Sequence, residues 1–500
     1  MVKSKYNLYS IKGIDYDAVI AMYRKICIEG IKEIAADSIS VYTTDGLEYN
    51  EKHKSRDPLH DDFKILFKAK YLLHAIAYRQ ATHIEDNVDS VAMQAAILRD
   101  VIGDDYFELL RAFDKLGYIK CYSPYKVNKQ ARRYKVLGDI VVTQCSYNKA
   151  IEGYIERTKN ILLKAAHKRV DERYGIDFRQ QYTKNLQKFK IRDKKAFNGF
   201  INKNRKPAKI HYYNFIKDCF NSKLEIFSVD SNNRIYHILT SLKRELKQYL
   251  NIKFSIDCKN SHPLLFNYFI FYSKNISSNI AYKISSILFS IPYSDIYDTI
   301  NNHYVGKNLY KILRDNEIND SIIEKFAEDE LIYIWKTTSG RFWDDIVEEN
   351  KGKYCRSTIK KRMFAQVFYA KKQKDAIFVN QFKRDYPNVY ELVIKWKSPL
   401  SYDNLRGYIV DNKKGVVYKG AVKGVDEETA LPNLMMSLES DIFYEVLTRL
   451  YRKNISAVHI HDAIVVPDSE VEVCASQIEE VMREVYKGRG LHPTFSVDTY

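Results

Sequence analysis

Two short apolar runs near the end of the printed sequence are separated by a polar pair, in the stretch SAVHIHDAIVVPD. The runs around Val458 and Val465 are rich in β-branched residues, and each predicts a strand. His461 and Asp462 tolerate turn conformations, so the stretch predicts a strand, a turn and a second strand. A turn alone explains the polar pair. The alternative is that the turn also aims a carboxylate at a cation.

The apolar spacing upstream predicts mixed, mainly helical structure over residues 1–87, as in DDFKILFKAKYLLHAIAYRQA. Residues 88–145 predict a helix, a glycine break, a second helix, a glycine stop, a strand, a basic loop and a strand. That order resembles a winged helix. Its loop carries Arg132 and Arg133, which we expect either to contact nucleic-acid phosphates or to be solvated.

Residues 146–227 are predicted to be helical and are very basic. Aromatic residues interleave with the lysines and arginines, as Tyr174, Phe178, Tyr182 and Phe189 show. This combination would suit a surface that follows a nucleic-acid backbone and stacks on bases. A solvated charged face is the alternative interpretation.

The composition agrees with a polyanionic partner. The 500-residue chain has a formal net charge of +17, although its usage of Lys, Asn, Ile and Tyr also fits an AT-rich genome. Its seven cysteines are scattered, without a Cys-x-x-Cys pair or a zinc spacing, so we expect a reduced, cytoplasmic protein without structural zinc. No apolar run of about 18 residues occurs, and we expect no membrane association.

A second carboxylate occupies a predicted strand end in KFSIDCKNSHPLLF, where Asp257 follows Phe254 and Ile256. Two distant aspartates that meet in a fold can hold two divalent cations about 3.5–4 Å apart. Such a pair stabilises the attacking and leaving oxygens of a phosphoryl transfer.

Between the two aspartates lies CRSTIKKRMFAQVFYAKKQ, which repeats Arg356, Lys360, Phe364 and Phe368 at every fourth position. On a helix these residues advance about 40° per step and share one face. Two cations one turn apart can clamp a triphosphate while an aromatic ring stacks on the base. An ordinary amphipathic helix is the alternative.

In this order the stretches SIDCKNSHP, RSTIKKRMFAQVFYA and IHDAIVVPD resemble motifs A, B and C of family A DNA polymerases and phage-type single-subunit RNA polymerases. LPNLMMSLESDIFYEVLTRL resembles the segment before motif C in the RNA polymerases, and DSNNRIYH resembles an element upstream of motif A. The resemblance implies an α+β right-hand polymerase. It places the palm at residues 228–300 and 431–500, the fingers at 301–430 and thumb-like helices at 146–227, after a mainly helical N-terminal region with the winged-helix-like module.

The resemblance also implies roles in catalysis. Asp257 and Asp462, with the Cys258 carbonyl, would hold two Mg²⁺ ions, which Mn²⁺ could replace. Arg356 and Lys360 would neutralise the β and γ phosphates and promote the departure of pyrophosphate.

Further roles concern the base, the sugar and the nucleic acid. Phe364 and Phe368 would position the nascent base and sugar, and His262 would act as a sugar gate. His461 would touch the primer end, and Arg234 would contact the template or backbone.

The chain departs from the family pattern at several positions. Ala463 stands where family A DNA polymerases usually have a third acid. Met436 stands where the RNA polymerases have His, and Tyr369 or Ala370 replaces the glycine that closes motif B.

Two positions bear on the sugar. His262 stands where family A DNA polymerases have a bulky Glu that blocks the ribose 2′-OH and where the RNA polymerases have Gly. Phe368 stands where the RNA polymerases have Tyr, and it lacks the hydroxyl of that residue. Both favour DNA synthesis. Because His262 and Phe368 cannot form the Glu–Tyr hydrogen bond expected in many DNA polymerases, we expect imperfect discrimination against ribonucleotides.

The sequence thus predicts a DNA-directed DNA polymerase that uses a DNA template, a primer and dNTPs, of the kind found in mobile genetic elements. No Asp-x-Glu triplet occurs in the first 225 residues, so we expect no proofreading exonuclease. An accessory replication protein or helicase is an expected partner. The alternatives are a single-subunit RNA polymerase or primase-polymerase that uses rNTPs, and a non-catalytic nucleic-acid-binding replication protein.

Overall fold

The computed structural model describes residues 6–36, 62–82, 90–93, 95–123, 133–145, 149–203, 216, 219–221, 224–230, 232–242, 244–292, 302–350, 352–369, 376–397 and 430–500. In these residues the protein is α+β and mostly helical, with small antiparallel sheets. No helix of this part of the chain is long and apolar enough to cross a membrane.

The chain divides into two compact units. The first comprises Met1–Ala165 and Lys195–Ser222, and the second comprises Ala166–Lys194 and Lys223–Tyr500. The helical region predicted at residues 146–227 is therefore split between the two units.

The first unit combines a two-stranded and a three-stranded antiparallel sheet with helices. Its elements are β1 (Tyr6–Ile11), α1 (Tyr16–Ala36), α2 (Asp62–Thr82), β2 (Val91–Ala92), α3 (Ala95–Ile102), α4 (Tyr106–Lys115), β3 (Ile119–Ser123), β4 (Arg133–Val136), β5 (Ile140–Cys145), the first part of α5 (Lys149–Tyr174) and nearly all of α7 (Lys194–Lys203). Strand β1 pairs with β5, and the other sheet has the order β2-β4-β3. Apolar residues of α2 and α4, among them Leu72, Ile76 and Phe113, form the centre of its core.

The predicted order of helix, helix, strand and strand over residues 88–145 is present as α3, α4, β3 and β4. Gly103 and Gly117 follow the two helices with positive φ values of 88° and 73°, which a glycine adopts without strain. Arg132 and most of the predicted basic loop lie outside the described residues. Arg133 is described, and its guanidinium donates to the Ser90 hydroxyl at 3.0 Å and to the Ser90 carbonyl.

The second unit is built around a four-stranded antiparallel sheet of order β11-β8-β10-β9 and a hairpin of β6 and β7. Its elements are the end of α5, α6 (Ile176–Leu186), β6 (Ile226–Val229), β7 (Ile235–His237), α8 (Arg244–Lys247), β8 (Ile252–Cys258), α9 (Ser261–Ser273), α10 (Ser278–Ser290), α11 (Asn302–Asp315), α12 (Asp320–Ile323), α13 (Glu328–Thr338), α14 (Phe342–Glu349), α15 (Arg356–Met363), α16 (Ile377–Asp385), α17 (Pro387–Trp396), α18 (Ala430–Arg452), β9 (Val458–Ile460), β10 (Ala463–Pro467), α19 (Ala475–Lys487) and β11 (Phe495–Thr499). A 3₁₀ turn follows β7, and a π-helical turn follows α15.

The aromatic residues between the basic residues of α5 and α6 belong to the core of the second unit. Tyr174, Phe178, Tyr182 and Phe189 are all buried. The Tyr174 and Phe178 rings lie 4.3 and 4.8 Å from the ring of Tyr444 on α18. The interpretation that these rings stack on bases is therefore wrong, because each is already packed against protein.

Candidate active site in the second unit

Asp257 and Asp462 meet at one end of the four-stranded sheet. Strands β8 and β10 are antiparallel, and their register places Ala463 opposite Asp257. The Cys258 amide donates to the Asp462 carbonyl at 3.2 Å. Because Asp462 immediately precedes Ala463, the pairing carries its carboxyl group to within hydrogen-bond reach of that of Asp257.

The predicted strand, turn and strand at the end of the chain are confirmed. Ile460 of β9 pairs with Ala463 of β10, so His461 and Asp462 form a two-residue hairpin turn. His461 has a φ of 55°, in the left-handed region that such short turns require. Its Nε2 donates to the Thr240 carbonyl at 3.1 Å, which fixes the exposed imidazole beside the turn.

Two buried histidines, His237 and His459, stabilise this hairpin. The Tyr182 hydroxyl is hydrogen-bonded to His459 Nδ1 at 3.1 Å, and His237 Nε2 donates to the His459 carbonyl at 3.1 Å. Burial lowers the pKa of His237 to about 3 and that of His459 to about 4. Both rings are therefore neutral near neutral pH, and they anchor β9 without adding charge beside the aspartates.

The carboxyl pair is electrostatically crowded. Burial, and next the charge of Asp462, raise the pKa of Asp257 to about 7, while Lys360 acts in the opposite direction. Two ionised carboxylates within hydrogen-bond reach of each other repel, and a divalent cation between them would remove the free-energy cost of that repulsion. The arrangement is costly for the fold and suited to binding a cation.

The donor atoms fit Mg²⁺. Carboxylate oxygens are the hard ligands that Mg²⁺ prefers, and it commonly takes one or two of them and completes its shell with water and substrate phosphates. Among the described residues no group of three or more His, Cys, Asp or Glu side chains is arranged to hold a metal. The Cys258 thiol is buried, and burial raises its pKa, so only the carbonyl of that residue suits a hard cation.

Helix α15 carries two cationic side chains, Lys360 and Arg356. Lys360 is exposed, and its charge acts on Asp257. Arg356, one turn earlier, is about half exposed and is held by Asp344, with Nε 3.0 Å from Oδ1. Arg356 is therefore already paired with a carboxylate through its Nε.

The predicted single face of Arg356, Lys360, Phe364 and Phe368 does not persist along the helix. Residues Phe364–Phe368 form a π-helical turn, which inserts an extra residue and shifts everything after it around the axis. Phe368 is fully buried, with its ring 6.1 Å from that of Phe266. Phe364 remains partly exposed, and Lys360 Nζ lies 6.0 Å from its ring centroid.

The shift brings Tyr369 to His262. The Tyr369 hydroxyl is in hydrogen-bond contact with His262 Nδ1, and the Phe364 ring stacks on the Tyr369 ring at 5.2 Å. The expected His262/Phe368 pair is therefore replaced by a His262/Tyr369 pair. Since Tyr369 supplies the hydroxyl that Phe368 lacks, the residue at position 368 supports neither the expectation of weak sugar discrimination nor the argument for DNA synthesis.

Glu439 on α18 lies behind His262 and was missed by the sequence analysis. It is buried, its Oε1 accepts from Ser261 Oγ at 3.0 Å and lies 3.3 Å from His262 Nε2, and its Oε2 pairs with Arg234. A guanidinium nitrogen of Arg234 also lies 3.3 Å from His262 Nε2. Burial alone would raise the pKa of Glu439, but His262, Arg234 and Ser261 lower it to about 2. Arg234 thus forms an ion pair with Glu439, and its expected contact with the template or backbone stays a prediction.

One signal for Glu439 was present in the sequence. Leu431, Met435 and Leu438 are buried on the apolar face of α18, and Glu439 lies four residues after Met435 on the same face. A carboxylate at such a position needs a partner, because burying an unpaired charge is costly. The partner could not be identified from the sequence, since Arg234 lies on a distant strand turn.

Comparison with models of known families finds no match for this sequence, and comparison with curated proteins finds none either.

Proposed function

We propose that the protein is a template-directed nucleotidyltransferase, a DNA-directed DNA polymerase of the family A type without a proofreading exonuclease. The observation that carries the proposal is the meeting of Asp257 and Asp462 at adjacent strand ends, within the electrostatic influence of Lys360. Their donor set and crowding suit a pair of divalent cations, and the motifs that contain them occur in the order of the polymerase motifs.

In this proposal Asp257, Asp462 and the Cys258 carbonyl hold two Mg²⁺ ions. Bound there, the ions would activate the primer 3′-OH and neutralise charge on the triphosphate. Arg356 and Lys360 would contact the β and γ phosphates, because they lie one turn apart on α15 and both are exposed. The part-exposed Phe364 would stack on the incoming base.

The four-stranded sheet then corresponds to a palm, and helices α11 to α17 correspond to fingers. Helix α13 supports this assignment because its side chains are almost all buried, as expected for the central helix of a helical subdomain. Helix α6 and the end of α5 would supply thumb-like packing on α18, through the buried aromatic residues described above.

Deoxynucleotides are the substrates that the site supports best. His262 and Tyr369 form a hydrogen-bonded pair of rings, and a side chain of this size beside the sugar would crowd a 2′-OH. The proposal therefore places dNTPs ahead of rNTPs. An RNA polymerase or primase-polymerase would need this pair to open.

Primer extension tests the proposal. A labelled primer on a DNA template would be incubated with Mg²⁺ and either dNTPs or rNTPs, with an unprimed template in parallel. We expect extension with dNTPs that is lost in Asp462→Ala. Asp468→Ala is the matched control, since Asp468 is a surface carboxylate just past the same strand, 3.5 Å from Arg192.

Three results would count against the proposal. Extension that survives in Asp462→Ala would show that the aspartate pair is not the catalytic centre, and strict use of rNTPs would contradict the sugar assignment. Metal-dependent trimming of the primer 3′ end would contradict the absence of proofreading.

A further inference from the structure

A cluster of four polar side chains, of which Glu439 is buried and the others are part-buried, lies on the sugar side of the proposed site. It joins four parts of the second unit: Arg234 before β7, His262 on α9, Glu439 on α18 and Tyr369 after the π-helical turn. The helices α9 and α18 and the end of the π turn thus meet at one imidazole. We call these four residues the His262 cluster.

Glu439 is at the centre of the hydrogen bonding. Both of its oxygens are used, one by Arg234 and the other by Ser261 and His262. His262 Nε2 lies 3.3 Å from Glu439 Oε1 and 3.3 Å from a guanidinium nitrogen of Arg234, so both members of the ion pair hold this side of the ring. The other ring nitrogen, Nδ1, is in hydrogen-bond contact with the Tyr369 hydroxyl.

The geometry points to Glu439 and Arg234 as positioning residues that set dNTP selectivity through His262 and Tyr369. This inference rests on the proposed function. The contacts that run from Arg234 and Glu439 through His262 hold the Tyr369 side chain in place. They also fix both rings as a closed wall, so the sugar next to them is recognised by exclusion of a 2′-OH.

Glu439→Gln tests this chain of hydrogen bonds because it keeps the volume of the side chain. An amide has only one acceptor oxygen, so either Arg234 or His262 loses its acceptor. The variant also loses the negative charge that pairs with Arg234, so the His262 ring is held less firmly and the wall that it forms with Tyr369 can open. Selectivity should therefore fall while the phosphate contacts on α15 are unchanged.

The helix offers a matched control two residues away. Asp441 on α18 accepts from Arg173 at 2.5 Å in another part-buried ion pair, and the structure shows no contact between Asp441 and His262. Asp441→Asn should cost stability to a similar degree without changing the sugar preference. A purely structural role for Glu439 would make the two variants behave alike.

The measurement is the ratio of kcat/KM for a dNTP to that for the matching rNTP, in single-nucleotide incorporation on a primed DNA template. A loss of folded protein lowers both terms equally, so the ratio reports positioning alone. We expect Glu439→Gln to lower the ratio about tenfold, mainly through the KM for the rNTP, and Asp441→Asn to leave it unchanged. Tyr369→Phe, which removes only the hydroxyl, should lower it in the same direction.

The outcomes separate the two proposals. Normal dNTP incorporation with an unchanged ratio in Glu439→Gln would overturn the positioning inference and leave the polymerase proposal intact. If Glu439→Gln does not fold, Tyr369→Phe decides: a lowered ratio supports the inference and an unchanged ratio overturns it. Wild-type protein that incorporates neither nucleotide would overturn the proposed function, and this inference with it.

Discussion

Replacing Asp257 by Asn should make the second unit more stable while abolishing nucleotide incorporation. Burial and the neighbouring Asp462 raise the pKa of Asp257 from 3.8 to about 7. The folded state therefore retains a proton that the unfolded chain loses between about pH 4 and pH 7. Wild-type stability consequently falls as pH rises through that window, and it does not recover above it.

The size of the effect follows from the shift. One pKa unit corresponds to about 1.4 kcal/mol, so a shift of this size costs the wild type at most about 4 kcal/mol at pH 8. Asn carries no charge and can still donate to Asp462, so Asp257→Asn should recover a large part of that cost. Near pH 4 the two proteins should differ little in stability, because Asp257 is then protonated in the folded state and still about half protonated in the unfolded state.

The assay is unfolding of wild type and Asp257→Asn between about pH 4 and pH 8 in the presence of a chelator. Taking the difference between the two proteins cancels the opposite pH dependence of the buried neutral histidines, His237 and His459. Millimolar Mg²⁺ at pH 8 should then stabilise the wild type and have a much smaller effect on the variant. A variant that is no more stable than the wild type at pH 8 would refute the picture of a crowded carboxyl pair.

Two further predictions concern α15 and the residues after it. Asp344→Asn should lower the KM for dNTPs, because Arg356 is then no longer held in its 3.0 Å ion pair, and Arg356→Ala should raise that KM. Steady-state kinetics would check both variants. Equal KM values in the wild type and both variants would argue against a phosphate role for Arg356. Phe368→Ala should destabilise the protein by about 3–5 kcal/mol in denaturant unfolding, as expected for a buried ring. Lys360→Ala should change the free energy of unfolding by less than about 0.5 kcal/mol and still reduce nucleotide incorporation. The reverse pattern would contradict the core position of Phe368 and the surface position of Lys360.

The backbone of the site was predictable because the deciding signals are local. A β-branched run broken by His461 and Asp462 indicates a hairpin, and Asp257 after an apolar run indicates a strand end. The prediction that these distant strands meet depends on the order of the motifs, since periodicity alone does not determine a register. The structure has that pairing, with Ala463 opposite Asp257.

The side-chain environment was less predictable. A four-residue spacing assumes a regular α-helix, and the π-helical turn at Phe364–Phe368 changes which residue faces His262. The turn is tied to tertiary contacts, since the Lys397 ammonium caps the Val367 carbonyl there. Similarly, the aromatic residues among the basic residues of α5 and α6 proved to be core residues. Their burial depends on a partner helix, α18, that is distant in sequence.

The most direct measurement is incorporation of a single nucleotide opposite each of the four template bases, with wild type, Asp257→Asn and Asp462→Asn at saturating Mg²⁺. The account predicts that the wild type adds only the complementary dNTP to the primer, and that each aspartate variant folds but adds none. Addition that ignores the template base, or that continues in either variant, would contradict the claim that this aspartate pair is the centre of a template-directed polymerase.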